Sequence, residues 1–345
     1  MMSNKNAFIW EGYQKRRRRV AVITTVLIIL IALCAVVMMT FGNTVYSLDT
    51  VFRVLKGEEI KGATFTIKTL RLPRLLVGLL SGLAFGVAGN TFQTLLRNDL
   101  ASPDIIGVTS GSSAAAVFCI LILHMSGTAV SVISLLAGLL VAGVIYFLSF
   151  GKGFSKGRLI LIGIGAQAML NAVTSFVLLK GSEYDVPTAL RWMNGSLNGV
   201  KLDRVPGLLV TVVTMTIAIV MLGRYLQILQ LGDDSAITLG VKVQVAYIGL
   251  IFASVFLIAF ATSVSGPIAS VAFLSGPIAS RLIGKGRVNT LPAGLVGALL
   301  VLASDLIGQF ALGTRYPVGV ITGILGAPYM LFLLVRMNKK GESVS

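Results

Sequence analysis

The sequence predicts an all-α protein that crosses a membrane about ten times. Of its 345 residues, 55% are hydrophobic and only 12% are charged, whereas about 25% of the residues in an ordinary soluble domain are charged. A helix needs about 20 apolar residues to cross a hydrocarbon core of about 30 Å. Ten apolar runs of suitable length, bounded by charge, Gly or Pro, follow one another at 20–41, 72–96, 103–124, 128–150, 158–180, 204–226, 244–264, 266–284, 291–312 and 318–336.

Positive charge predicts the orientation of these runs. A net charge of +16 would suggest a nucleic-acid partner in a soluble protein, but here the basic residues lie at the ends of apolar runs, so a lipid surface explains them without nucleic acid. Cytoplasmic segments of membrane proteins are enriched in Lys and Arg. With both termini in the cytoplasm, the richest basic segments fall on the cytoplasmic side of the cell membrane: Lys15–Arg19, Lys152, Lys156, Arg158, Arg281, Lys285, Arg287, Arg336, Lys339 and Lys340.

No low-complexity linker divides the chain, and we expect one ten-helix domain over 20–338, with a basic cytoplasmic tail at 1–19 and a second cytoplasmic tail at 339–345. Two longer interruptions stand out, an external one at 42–71 and a cytoplasmic one at 227–243. The external one contains apolar residues at helical spacing, which predict a short amphipathic helix on the membrane surface: Leu48, Val51, Phe52 and Leu55.

Glycines recur every three or four residues in the second run, at Gly78, Gly82, Gly86 and Gly89. Small residues let helix backbones approach closely in lipid, where no hydrophobic effect drives helices together. We therefore predict that this helix packs tightly against its neighbours.

The string SGPIAS occurs twice, at 265–270 and 275–280, and places Gly266-Pro267 and Gly276-Pro277 within apolar sequence. Each pair interrupts the backbone hydrogen bonds of a helix, which is tolerated at membrane depth where protein or a cavity covers the freed groups. The pattern predicts that 264–280 lies beside a translocation pathway, and simple helix packing remains an equal alternative.

The sequence contains no HExxH motif, no CxxC motif and no phosphate-binding loop. His124 is the one histidine, and its position at the end of the third run is typical of an interfacial residue more than of a ligand. We expect no catalytic residue, no metal site and no cofactor bound by this chain.

Asp305 is the one ionisable residue deep within a predicted span, where a charge costs about 2.5–3.5 kcal/mol on insertion scales. Gln309 follows it by four residues and shares its helix face, so its amide can donate a hydrogen bond to the carboxylate. We interpret Asp305 as a packing contact that Asn would preserve. A proton relay is the alternative.

Six motifs together resemble the FecCD-type permeases, the membrane subunits of ABC importers for ferric siderophores, haem and cobalamin. They are RLPR (71–74), Q-x-x-x-RN-x-LA-x-P (93–103), G-x-x-SG (107–111), LGDDSAITLGV (231–241), GPIA (266–269) and PVGVITGILGAP (317–328). The resemblance implies the type II ABC importer permease fold. It also implies four kinds of partner or ligand: a second permease, two ATP-binding subunits, an extracytoplasmic substrate-binding protein, and ATP with Mg bound at the ATP-binding subunits.

The resemblance makes a ferric siderophore the expected substrate, with haem or cobalamin as the alternative within the same machine. Two other classes stay open on the residues alone. An ion-coupled secondary transporter would need more buried charge than Asp305 provides, and a membrane scaffold without transport would not need a segment that contacts an ATPase.

In this family, the segment that matches 229–244 forms two short helices in a groove of the ATP-binding subunit, so the resemblance implies an ATPase-coupling loop here. In the residues, Asp233 and Asp234 can cap a helix, Ala236 and Leu239 offer a small apolar face, and glycines permit turns at both ends. An ordinary capped loop is the alternative. The predicted coupling residues are Leu231, Gly232, Asp233, Asp234, Ala236, Leu239 and Gly240.

The resemblance also implies that Arg71, Arg74 and Arg315 dock acidic residues of the binding protein on the external face. An arginine can hold a carboxylate through two parallel hydrogen bonds, and no acidic residue is adjacent to any of the three in the sequence. Membrane anchoring by these side chains is the alternative.

Two positions depart from the family pattern. Pro277 stands where many relatives carry a His, and Gln309 stands where relatives often carry Arg. Since some family members that lack this His work as half of a heterodimer, a different permease partner is plausible, and the homodimer remains open.

Overall fold

The chain folds into a bundle of α-helices. The structure is a computed structural model that describes residues 2–150, 155–284 and 289–339, with side chains for 14–150, 155–284 and 289–335. The α-helices in these residues are α1 (Met2–Thr40), α2 (Leu48–Leu55), α3 (Leu72–Leu96), α4 (Val108–Leu121), α5 (Thr128–Leu148), α6 (Lys156–Lys180), α7 (Val186–Met193), α8 (Val205–Met221), α9 (Gly223–Leu229), α10 (Asp233–Thr238), α11 (Val243–Ser265), α12 (Val271–Ile283), α13 (Thr290–Phe310) and α14 (Val318–Lys339).

Eight stretches of helix among the described residues are long and apolar enough to cross a membrane, and they match eight of the ten predicted spans. The other two predicted spans, 103–124 and 266–284, contain the shorter apolar helices α4 and α12. A 3₁₀ turn at Pro103–Ile106 precedes α4, and non-helical residues 266–270 precede α12. Eight of the ten predicted spans are therefore helices of spanning length, and the other two begin with irregular backbone. The predicted span 204–226 is also divided, because α8 ends before α9 begins.

We name the two ends of the bundle after the short helices that lie there. Helix α6 starts beside α10, where Lys156 contacts Asp233, and ends shortly before α7. Because successive spans alternate in direction, α1 begins and α14 ends at the α10 end. There the Arg19 Nε donates to the Leu282 carbonyl at 2.7 Å, which ties the start of α1 to the end of α12.

The described residues include nearly all of the first predicted tail and only residue 339 of the second. Helix α1 continues through residue 19 without a break, so the predicted boundary there is not a change in secondary structure. Residues 340–345, and with them most of the predicted second tail, lie outside the described residues, as do Lys152, Lys285 and Arg287.

Helix α3 lies at the centre of the bundle, with most of its residues buried. A Cβ added at Gly82 would lie 2.5 Å from the Cα of Ala298 in α13, and one at Gly86 would overlap the Ala293 carbonyl of the same helix. One at Gly89 would overlap the Ala272 carbonyl of α12. The predicted close packing is confirmed, because only hydrogen fits at these positions.

Helix α3 also supplies the hydrogen-bond donor that proline removes from α12. Pro277 lies inside α12 and has no backbone N–H, so the carbonyl of Phe273, four residues earlier, loses its helical donor. The Gln93 Nε2 of α3 donates to this carbonyl at 2.8 Å and to the Asp99 carbonyl at 3.1 Å. Gly276 makes room, since a Cβ there would overlap the Gln93 amide oxygen.

Asp305 of α13 forms a buried ion pair with Arg74 of α3. The arginine's Nε and Nη2 donate to the two carboxylate oxygens at 2.8 and 2.7 Å, and Gln309 Nε2 donates to the same carboxylate at 2.6 Å. The predicted contact with Gln309 is confirmed. Asn at position 305 would leave the charge of Arg74 without its counter-charge, and tolerance of Asn there stays a prediction.

The predicted surface helix forms α2, which lies near the start of α3. Val51 and Val54 are buried against residues such as Met39 and Ile67, whereas Leu48, Phe52 and Leu55 are exposed. The helix thus has one face on the protein and a second apolar face that suits a lipid surface.

The Gln93 bond yields a first prediction. Gln93→Leu should lower the free energy of unfolding by about 1–3 kcal/mol, since it leaves the Phe273 carbonyl buried without a donor. In a Pro277→Ala background, position 277 regains its N–H and the same substitution should cost less. Equilibrium unfolding in mixed detergent micelles measures both values, and an equal loss in the two backgrounds would show that Gln93 does not serve the freed carbonyl.

Candidate functional site

The segment 223–241 forms two short helices, α9 and α10, joined by a tight turn. Gly232 has φ 116° at the start of α10, and Gly240 has φ 79° just after its end. Residues with a side chain rarely adopt such angles. The glycines therefore make the two turns that the sequence predicted.

Apolar side chains of this segment are exposed around α10. Leu231, Ile237 and Leu239 are 66%, 61% and 60% exposed, whereas Ala236 is fully buried in the protein's own core. The prediction that Ala236 contributes to an exposed face with Leu239 is therefore wrong. Ile237 is exposed beside Leu239 instead, and sequence reasoning missed it. The signal in the sequence was a large apolar residue within a short segment that is otherwise polar or small.

Asp233 does not cap α10 as the sequence suggested. Gly232 holds the N-cap position, and no side chain caps the helix there. The Oδ1 of Asp233 instead accepts from the Tyr247 hydroxyl at 2.9 Å, from Lys156 Nζ at 3.2 Å and from Arg97 Nη2 at 3.4 Å. Asp234 follows it in the exposed first turn.

The three predicted docking arginines have different surroundings at the α7 end. Arg71 donates to the carbonyls of Met39 and Thr44 at 2.7 and 2.6 Å. Arg74 is paired with Asp305, which lies 231 residues away along the chain, so its charge has an acidic partner that the sequence did not indicate. Arg315 is exposed and donates to the Asn43 side-chain oxygen at 2.8 Å, which leaves it the most accessible of the three.

A cavity of about 250 Å³ lies between α3, α4, α6 and the irregular segment before α12, and we call it the inner cavity. Asp104 lies in its wall, where it accepts hydrogen bonds from the hydroxyls of Ser102 and Thr109, both at 2.8 Å. Its polar lining comprises Asp104, Thr109, Ser110, Ser113, Gln167, Asn171, Thr174 and Ser270.

A larger cavity of about 400 Å³ lies nearer the α7 end, and we call it the outer cavity. Three cationic residues line it, Arg191, Lys201 and Arg204. The wall between the two cavities is thin, because Trp192 lines the outer one and the next residue, Met193, lines the inner one.

The predicted pathway residues divide between two environments. Gly266 lines the outer cavity and Pro267 lines the inner one. Gly276 and Pro277 instead lie buried in α12 at its contact with α3. A place beside a pathway stays a prediction for the first pair, and the second pair fits the alternative of helix packing.

The described residues contain no group of three or more His, Cys, Asp and Glu residues that could hold a metal ion. His124 has φ 49°, and its Nδ1 lies 3.2 Å from the Asp185 carboxylate. The pair is exposed near the start of α7. Among the described residues, no third His, Cys, Asp or Glu joins it to form a metal site.

Comparison with known proteins agrees with this geometry. The model of the FecCD transport family matches residues 26–336. The ferric enterobactin transport system permease protein FepG of Escherichia coli is 36% identical over 87% of this chain and 91% of its own length. The cobalamin import permease BtuC of Halobacterium salinarum is 30% identical over 79% of this chain and 74% of its own.

A solved structure is similar as well. It is an inward-facing conformation of a metal-chelate type ABC transporter, with a TM-score of 0.81 and 26% identity over 91% of this chain and 99% of that one. The family model covers the spans, the α9–α10 segment and both cavities together. This multi-pass membrane protein, with its permease fold, belongs to the FecCD transport family.

Proposed function

We propose that this chain is the permease subunit of an ATP-driven ABC importer for ferric siderophores. One observation carries the proposal: α10 buries Ala236 in the bundle while Leu231, Ile237 and Leu239 stay exposed. Exposed apolar side chains on a short, anchored helix suit insertion into a groove of another protein. Within this family, that protein is the ATP-binding subunit.

ATP and Mg would bind at two such ATP-binding subunits, and this chain would contribute no catalytic residue. This arrangement makes the α10 end cytoplasmic, together with both termini of the chain. The basic residues at that end agree with the positive-inside rule; they include Arg19, Arg97 and Lys156.

A second permease would cover α6. This helix has exposed polar residues in the middle of its span, among them Asn171 and Ser175, and a polar side chain that faces lipid is unfavourable. Pairing of α6 with a second permease, either another copy of this chain or a different one, would remove these residues from lipid and place the inner cavity beside the interface between the two.

The ferric siderophore is favoured over cobalamin by the relatives. The enterobactin permease shares 36% of its residues with this chain over 300 positions, and the cobalamin permease shares 30% over 274. Haem and cobalamin stay as alternatives within the same machine.

We also propose that Arg315 docks an acidic residue of the extracytoplasmic binding protein. Its exposure and its single neutral partner, Asn43, leave the charge available. Arg71 is half-buried on backbone carbonyls, which makes it a weaker docking point, and Arg74 takes no direct part because Asp305 neutralises it.

The central test is uptake by the complete complex in liposomes. With ATP inside and no ion gradient, the complex with its ATPase and binding protein should accumulate ferric enterobactin, measured with radioactive iron. Accumulation that persists without ATP and collapses with a protonophore would exclude the ABC mechanism. If the complex takes up cobalamin or haem with ATP but takes up no ferric siderophore, only the assignment of the substrate is wrong.

The contact with the ATPase is tested by Ile237→Glu combined with Leu239→Glu. Two charges in an apolar groove should reduce co-purification of the ATPase and uptake by at least about tenfold, because each buried unpaired charge costs several kcal/mol. Phe52→Glu is the matched control, since Phe52 is also 61% exposed but lies on α2, toward the α7 end. Normal co-purification with the double variant would remove α10 from the ATPase interface.

Docking is tested by the rate at which the binding protein associates. Arg315→Glu should slow association several-fold at low salt and less at high salt, because screening acts within about 10 Å at 0.1 M ionic strength. Lys61→Glu, which reverses an exposed charge in the segment before α3, controls for net charge. If the two variants behave alike at every salt concentration, Arg315 has no specific docking role.

A further inference from the structure

A single carboxylate oxygen at the α10 end joins four helices. The Oδ1 of Asp233, in the first turn of α10, accepts from Tyr247 of α11 and from Lys156 at the start of α6. It also accepts from Arg97, the left-handed residue that ends α3. Lys156 and Arg97 lie 77 and 136 residues away along the chain, so the links to α6 and α3 exist only through tertiary structure.

The carboxylate is not needed to form α10 itself. The helix is held by its own backbone, in which Ala236 N donates to the Gly232 carbonyl at 2.9 Å and Val241 N donates to the Ala236 carbonyl at 2.9 Å. Burial of Ala236 anchors it further. The charge of Asp233 therefore serves the connection between helices more than the fold of the segment.

The link to α6 is a charge-assisted hydrogen bond whose length lies at the upper end of the usual range. Lys156 Nζ lies 3.2 Å from the carboxylate and 5.2 Å from the centre of the Tyr247 ring. Its side chain is 21% exposed, so water screens the pair less than it would on an open surface. A hydrogen bond between two ionised groups is about twice as strong as one between neutral groups.

Helix α6 leads from this bond to the inner cavity. Its 25 residues form a rod of about 37 Å, and Gln167, Asn171 and Thr174 along it line the cavity. Between the two, Gly163 packs so closely on the Ile105 carbonyl that a Cβ would overlap it. Helix α6 thus connects the Lys156–Asp233 bond to the cavity wall and is held closely at Gly163 between the two.

We propose that Asp233 is a positioning residue that transmits movement of α10 to α6, so that the state of the ATPase sets the shape of the inner cavity. The inference rests on the proposed function, because it takes α10 as the helix that the ATPase moves. It adds that the covalent connection from α10 to α11 is not sufficient to move α6. The Lys156–Asp233 bond carries the movement from α10 to α6.

The test measures substrate transported per ATP hydrolysed in the complete complex, with ferric enterobactin as the probe. Asp233→Asn keeps the size of the side chain and removes its charge, and it should lower the ratio at least about fivefold, the lower limit of typical coupling between sites. Lys156→Met removes only the link to α6 and should lower the ratio too. The double variant should do no more than the stronger single one, since both break the same link.

Two further variants separate positioning from stability. Asp233→Glu retains the charge and should restore most of the ratio. Glu58→Gln removes the carboxylate of an exposed ion pair with Arg53, away from α10, and should leave the ratio at the wild-type value.

A second readout follows the helices directly. Addition of ATP and vanadate to the wild-type complex should change amide hydrogen exchange in both α10 and the first turns of α6. In Asp233→Asn the change in α10 should persist and the change in α6 should be lost. A destabilised protein would instead exchange faster in both helices with or without ATP.

An unchanged ratio in an assembled Asp233→Asn complex, or a retained response of α6, would overturn the inference while leaving the proposed function in place. Strictly additive effects of Asp233→Asn and Lys156→Met would also overturn it. If the wild-type complex shows no ATP-driven uptake at all, the proposed function fails first, and that result appears before any variant is made.

Discussion

Backbone groups freed inside a membrane need partners, and the architecture of this bundle depends on that constraint. Proline interrupts α12, and Gln93 of the neighbouring helix supplies the missing donor to the Phe273 carbonyl. Such a repair requires close contact between helices, which Gly89 and Gly276 make by removing side chains from the interface. The glycines, the proline and the glutamine thus form one arrangement at the contact between α3 and α12.

Charge has two different tasks at the two ends of the molecule. Arg74 and Asp305 lie between α3 and α13 with their charges buried and paired, which fixes one arrangement of the helices because separation would strand a charge. Asp233 is partly exposed and shares one oxygen among three donors. A partly solvated contact of this kind can rearrange at lower cost, so it suits the end where movement is transmitted, while the buried pair suits a fixed core.

The two cavities adjoin each other, because consecutive residues line them. Their shared wall, at Trp192-Met193 and Gly266-Pro267, contains no regular helix on the Gly266 side, and irregular backbone is less stiff than a helix. Helix α6 borders the inner cavity and reaches the α10 end. A permease must couple a change at one face to the space within it, and α6 touches both.

The sequence by itself determined the class of protein, the approximate spans, the turns at Gly232 and Gly240, the tight packing of α3 and the contact of Asp305 with Gln309. Each depends on local periodicity, composition or spacing within one helix, which a sequence displays directly. Only the tertiary structure decided that Arg74 pairs with Asp305, that Gln93 serves the Phe273 carbonyl, and that Asp233 binds Lys156 and Arg97 instead of capping α10. These partners lie 77 to 231 residues apart, and their meeting depends on how the helices pack, which no local pattern in the chain specifies.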